Sequence, residues 1–252
     1  LFNALAGLTI AAGSIPPWWR WLYWINPFAW ALRALAINEL SQPRWQAAVV
    51  LPSYDLSLAF KPVTVKGRKG EVVIDRDETP FTCDIAKIPQ LKPAFHKDGT
   101  VTAASSSSIS DGAAAVVLAS ESAAAKVGAK PLAKIVAYAS HSQEPEWFTI
   151  APVGAIQKVL ARTGWKASDV DLFEVNEAFA TVAMSAAKDI GIAADKLNVN
   201  GGACALGHPV GATGARIVAT LLHALIARGG RRGIASLCIG GGEAVAIAIE
   251  RI

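Results

Sequence analysis

The chain has 252 residues, 52% of them apolar, and a formal charge of +4. That is enough chain for one large domain or two modest ones with a sizeable core. The basic residues are scattered, with no Lys/Arg stripe interleaved with aromatics, so no nucleic-acid partner is expected. Cysteines at 83, 204 and 238 have no metal spacing and cannot all pair within the chain, so no metal and a reducing compartment are expected.

Six of the eight tryptophans fall before residue 50. The run from Pro16 to Pro27 is a belt of amphipathic rings, with apolar stretches at Leu1–Gly13 and Phe28–Ile37 on either side. Such rings collect at membrane interfaces because one part is apolar and another forms hydrogen bonds. Neither apolar stretch reaches the roughly 18 uncharged residues that a helical span needs. No basic region precedes the first, so a signal peptide is not expected. The sequence has no GxxxxGK[ST] nucleotide-binding loop. Met184 is the only methionine, and the chain reads as a fragment or a processed product.

Residues 51–100 are rich in Pro, Lys and Asp and predict an irregular region with one short strand at Val72–Ile74. From Asp111 onward the pattern alternates. A buried strand is predicted at Ala113–Ala119, a short helix from Ser120 to about Gly128, and a strand at Leu132–Ala139. A helix opened by Pro152 stops at Gly164. A strand at Val170–Val175 leads to a helix over Glu177–Ile190. Leu197–Val199 is a further short strand. A helix over Ala212–Ala227 ends at Gly229, and strands at Ile234–Leu237 and Ala244–Ile249 close the chain. These near-continuous apolar runs imply an α/β fold, a mixed five-stranded sheet with helices on both faces.

Three stretches bear chemically able side chains. Asn176 follows a strand and precedes a predicted helix, where an N-cap is the alternative role. His208 lies in Gly207-His-Pro-Val-Gly211 before a helix start, whose dipole disfavours an added positive charge and favours a neutral, basic imidazole. Cys238 ends an apolar strand beside Gly240-Gly-Gly242, where bare amides would stabilise a thiolate and an oxyanion. Cys83 and Cys204 lack such surroundings and read as structural. Ser105–Ser108 has the composition of a flexible linker. A dinucleotide-binding reading of the glycines around His208 fails on spacing.

From about residue 62 onward, Asn176-Glu-Ala-Phe179, Gly207-His-Pro-Val-Gly211 and Cys238-Ile-Gly-Gly-Gly242 resemble the C-terminal half of thiolases, the acetyl-CoA C-acetyltransferase family. The resemblance implies half of a thiolase fold, with residues 51–112 ending the loop domain and 113–252 forming the C-terminal domain. It implies acetoacetyl-CoA thiolysis or Claisen condensation of acetyl-CoA, with no cofactor beyond the CoA thioester. Cys238 would be the acid/base thiol, and His208 would activate the nucleophile and help bind an oxyanion. Asn176 would hold a water, and the Gly240 N–H would belong to a second oxyanion hole. Ser107 would touch the pantetheine arm, with Phe95, Phe148 and Phe179 as apolar walls. The family's nucleophilic cysteine lies in the other half and has no match here, so the chain alone is expected to be inactive. A homo-oligomer is implied for the intact family, in cytoplasm or mitochondria. Residues 1–45 resemble a membrane segment of pleiotropic-drug-resistance-type ATP-binding-cassette transporters. Residues 1–50 are therefore expected to be an unrelated fusion or gene-model artefact. The alternative is a non-catalytic CoA-binding module with a membrane contact through residues 1–40.

Overall fold

The computed structural model describes residues 48–51, 63–67, 70–75 and 79–252. The expectations for the tryptophan-rich segment therefore fall outside the described residues up to 47. The strands are β1 (Ala48–Leu51), β2 (Val63–Gly67), β3 (Gly70–Ile74), β4 (Val117–Ser120), β5 (Ala133–Ser142), β6 (Leu172–Val175), β7 (Arg232–Cys238) and β8 (Glu243–Arg251). The helices are α1 (Thr79–Thr82), α2 (Glu121–Lys126), α3 (Ala151–Thr163), α4 (Ala180–Ile190), α5 (Ala203–Leu206) and α6 (Thr213–Arg228).

Six strands form one sheet in the order β4-β1-β5-β8-β7-β6, and β2–β3 is a separate antiparallel hairpin. Every pairing in the large sheet is antiparallel except β6–β7, where the crossover through α4, α5 and α6 returns the chain in parallel. The expected five strands are all present. The sixth, β1, straddles the boundary drawn at residue 50 and pairs with both β4 and β5.

Helices cover both faces. On one face, Ala155, Ile156 and Val159 of α3 and Val182 and Ala186 of α4 pack with Phe173, Ile234 and Ala246. On the other, Ile217, Leu221 and Leu225 of α6 pack with Leu172, Ala235 and Ile249. Each of the Val, Leu, Ile and Phe side chains among these contributes about 1.5–3 kcal/mol on burial. Gly233 lets α6 approach closely: a Cβ there would stand 2.9 Å from the methyl carbons of both Leu221 and Leu225. The helix limits follow local chemistry. Pro152 sits in the first turn of α3, and Gly164 ends that helix at φ 71°. Gly229 ends α6 at φ 70°.

Several expectations need correction. The run Ala113–Ala119 is not a buried strand: β4 starts at Val117, and Val117 and Leu118 are exposed. The strand lies at the end of the sheet, and an apolar run does not reveal whether anything covers it. The helix expected from Glu177 starts at Ala180, so Phe179 and not Asn176 is its N-cap residue. Leu197–Val199 forms no strand, only one bridge from Leu197 to Phe173. The strand at 72–74 has a partner that sequence patterning overlooked, Val63–Gly67, in register from Val63↔Ile74 to Gly67↔Gly70.

Candidate active site

The site is assembled where β6 leaves the sheet. Asn176 N–H donates to the Ser236 carbonyl at 2.9 Å, carrying the β6–β7 ladder one residue beyond the strand. The outer edge of β6 is closed by a side chain: Asn198 accepts from Val175 N–H at 2.8 Å and donates to the Val175 carbonyl at 2.9 Å. Asn198 is the one non-glycine residue with positive φ among those described, at 46°. Asn tolerates that conformation better than most residues because its short amide bonds locally. Here the amide stands in for a neighbouring strand.

Glu177 ties three loops together. Its carboxylate accepts from Asn198 Nδ2 at 2.9 Å and from Cys204 N–H at 3.2 Å. It fills the space beside Gly202, where a Cβ would fall 2.1 Å from the carboxyl carbon. Ala178 lies in a bend and Phe179 is extended, and both pair with the serine stretch. Ser107 donates from both N–H and Oγ to the Ala178 carbonyl, each at 3.1 Å, and Ser106 bridges Phe179. The Ser105–Ser108 stretch is therefore not a free linker. Phe179 in turn meets Phe95 at 5.8 Å and Phe148 at 6.2 Å between ring centroids, both edge to face. The three phenylalanines named from sequence thus form one cluster beside Ser107.

His208 is held on the other side of that serine stretch. Its N–H donates to the Ser108 carbonyl at 2.8 Å, and its own carbonyl accepts from Ser110 N–H at 3.4 Å. Gly207, at φ 90°, makes this approach feasible, since a Cβ there would fall 2.2 Å from Ser110 Oγ. The imidazole Nδ1 lies 2.7 Å from Thr213 Oγ1, and Nε2 lies 3.5 Å from Asn176 Nδ2. Burial first, and Arg216 second, hold the imidazole below its ordinary pKa, so it is neutral near pH 7.

Behind this pair stands a buried charge set that sequence patterning did not single out. Asn176 is 1% exposed, and its Oδ1 accepts from Arg216 Nη2 at 3.2 Å. Arg216 Nη1 lies 3.8 Å from Glu174 Oε1. Burial pushes Glu174 up to about 7, against the pull of Arg216. The available signal was a Glu inside the apolar run Leu172–Val175, which needs a cationic partner once buried.

Cys238 ends β7 at 7% exposure, and burial pushes its thiol up to about 11. The thiolate expected from nearby amides is therefore not the resting form. The following turn is closed by Ile239 N–H to Glu243 O at 2.7 Å and Gly242 N–H to Ile239 O at 3.1 Å, with Gly240 between. Gly242 has φ 95°, and a Cβ there would fall 2.2 Å from the Gln143 carbonyl. Gln143 donates its N–H to Gly242 O at 3.0 Å and its Nε2 to Trp147 O at 2.7 Å, which ties the cysteine turn to the segment bearing Phe148. Cys204 also rises to about 11, by burial and then by Glu177, and Cys83 is exposed. Among the described residues, no group of three His, Cys, Asp or Glu could hold a metal ion.

This fold and this set of groups define a member of a known family. Residues 129–251 match the thiolase C-terminal domain and residues 35–122 the thiolase N-terminal domain; the chain belongs to the thiolase family. It is 52% identical over 192 residues to an acetyl-CoA acetyltransferase of Chromobacterium violaceum, covering 75% of this chain and 49% of that protein. It is 46% identical over 218 residues to a cytosolic acetyl-CoA acetyltransferase of Mus musculus, covering 85% and 54%. A solved Ascaris suum thiolase in complex with coenzyme A superposes with a TM-score of 0.68 at 44% identity, covering 75% and 49%. The chain thus spans about half the length of the relatives it matches. Residues 1–40 match the ABC-2 type transporter family.

Proposed function

We propose that this chain supplies the His, Asn and second-Cys part of an acetyl-CoA C-acetyltransferase site, working in acetoacetyl-CoA thiolysis or in Claisen condensation of acetyl-CoA. One observation carries the reading. The Asn176 amide stands 3.5 Å from His208 Nε2, on a segment that also clamps Ser107 and presents Phe179 to Phe95 and Phe148. In the proposed chemistry, neutral His208 takes the proton of the acyl-accepting thiol. Asn176 holds a water that, with His208, binds the thioester oxyanion, and the Gly240 N–H serves a second oxyanion. Ser107 and the three phenylalanines take the pantetheine arm; the coenzyme A named for the Ascaris structure supports that ligand class. In thiolysis the Cα–Cβ bond breaks and Cys238 gives its proton to the departing acetyl-CoA carbanion. In condensation Cys238 removes that proton, and a thiol held near 11 makes a thiolate more basic than an ordinary one.

None of Cys83, Cys204 and Cys238 takes the place of the acyl-accepting cysteine, so the 252 residues alone should turn over nothing. The test supplies the N-terminal half of a related thiolase in trans or by fusion and follows acetoacetyl-CoA cleavage. Activity should appear, vanish with His208→Ala or Cys238→Ala, and survive Cys204→Ala. Thiolysis by the unassisted chain would overturn the assignment of the missing nucleophile. Absence of both rescue and CoA binding would overturn the acyltransferase reading itself.

A second reading is favoured by the match at residues 1–40: a non-catalytic CoA-binding module held at a membrane. It predicts CoA binding without rescue, together with vesicle binding lost on deleting residues 1–40. On the acyltransferase reading the intact protein is a homo-oligomer acting in the cytoplasm or mitochondria. The cytosolic mouse relative supports the cytoplasm.

A further inference from the structure

We propose that Arg216, braced by Glu174, is a positioning residue that sets the tautomer of His208 through Asn176, leaving Nε2 bare and Nδ1 protonated. The inference rests on the reading of His208 as the base, but its geometry stands apart from that reading. Thr213 Oγ1 lies 3.0 Å from the Pro209 carbonyl, an acceptor only, which draws the hydroxyl hydrogen to that side. Toward His208, at 2.7 Å, Thr213 then serves as acceptor, which biases the proton toward Nδ1 without fixing it alone. The other ring nitrogen is fixed from the opposite side. A guanidinium has no acceptor, so Asn176 must turn its oxygen toward Arg216 Nη2 at 3.2 Å. That orientation points the Asn176 NH2 at His208, and Nε2 at 3.5 Å can only receive it.

Reversing the Asn176 amide would put NH2 against Arg216 and an oxygen against Nε2, which would then favour a proton on Nε2. The arginine therefore transmits its donor-only character through the amide to the imidazole. Arg216 is committed to this task in one direction. Its Nη1 faces Glu174 at 3.8 Å, and its Nη2 donates to Asn176. The remaining charged group acting on the arginine is Glu177, whose carboxylate is engaged by Asn198 and Cys204.

The test is a ring-nitrogen measurement on the full chain with 15N-histidine, assigned by a His208→Gln control. At neutral pH the wild type should show His208 with a protonated Nδ1 and a bare Nε2; a protonated Nε2 would overturn the proposal. The pair Arg216→Met with Glu174→Gln removes the fork without stranding a charge. It should move both ring shifts toward the averaged values of a free imidazole. Unchanged shifts in the folded double variant would overturn the role of Arg216. Should that pair not fold, Arg216→Gln with Glu174→Gln puts an acceptor as well as a donor beside Asn176, and should move the shifts in the same direction. No movement there counts equally against the proposal. A chain with the expected tautomer but neither rescued thiolysis nor CoA binding refutes the acyltransferase reading alone.

Discussion

At the scale of single residues, a buried acid and a half-buried base pull stability in opposite directions with pH. Glu174 keeps its proton up to about 7 when folded, whereas in the unfolded chain it loses it near 4.5. Between those values the folded state binds more protons, so its contribution declines as pH rises, by on the order of 3 kcal/mol in all. His208 is held below its ordinary value, so its contribution is present above about pH 6.5 and declines as pH falls through the folded value. Replacing Glu174 with Gln removes the first effect and keeps the second. Urea unfolding at pH 5 and pH 7 should then show the balance between the two conditions shifting toward pH 7, relative to wild type. An unchanged balance would mean that Glu174 is ionised in the fold. The cysteines offer a second check. Exposed Cys83 should be alkylated first by iodoacetamide, with Cys204 and Cys238 slower because burial holds both thiols protonated near 11. Peptide mapping over a time course reads the order. Labelling of Cys238 ahead of Cys83 would show that its turn opens in solution.

At the scale of elements, the tightest joint is between the Glu177 loop and the strand-free segment before α5. Gly202→Ala would push a methyl into the Glu177 carboxyl, so that either the carboxylate or the loop must move. A loss of about 1–3 kcal/mol is expected from such overpacking. It should be accompanied by weaker protection of the Cys204 amide, read by hydrogen exchange. Leu225→Ala in α6 leaves a hole under Gly233 and should cost about 2–5 kcal/mol in denaturant unfolding. Helices α2, α3 and α6 and the inner strands were legible because their chemistry is local: Pro152 and Gly164 bracket α3, and the apolar run 234–237 can only be a covered strand or a buried helix too short to exist. The start of α4 was not legible. Residues 177–179 have helix-like composition, but Ser106 and Ser107, some seventy positions earlier, pair with Phe179 and Ala178 and keep the helix from starting before Ala180. Long-range pairing of that kind has no local trace. The same holds for the charge set behind His208. The motif marks Asn176 and His208, but the four residues that orient them, Glu174, Asn198, Thr213 and Arg216, lie on a strand, a loop and a helix whose meeting depends on the topology.

At the scale of the whole molecule, β1 links the region before residue 52 to the large sheet, since it lies between β4 and β5. A chain lacking residues 1–46 should therefore retain cooperative unfolding, while one lacking residues 1–51 should lose the attachment of β4 and α2. Circular dichroism and the denaturant slope of the two truncations distinguish these outcomes. Equal behaviour would mean that β1 contributes nothing to the fold. Among the described residues, no helix is long and apolar enough to cross a membrane.

The place of β8 has a consequence in time as well as in space. The strand is paired along most of its length on both edges, with β5 on one side and β7 on the other, over more residues than any other strand of the large sheet. Its amides can reach deuterated solvent only when both neighbours have separated, so they should be the last in the molecule to exchange, at the rate of global opening. The end of the chain would then act as its slowest clock, and β4, paired on one edge only, as its fastest among the sheet strands.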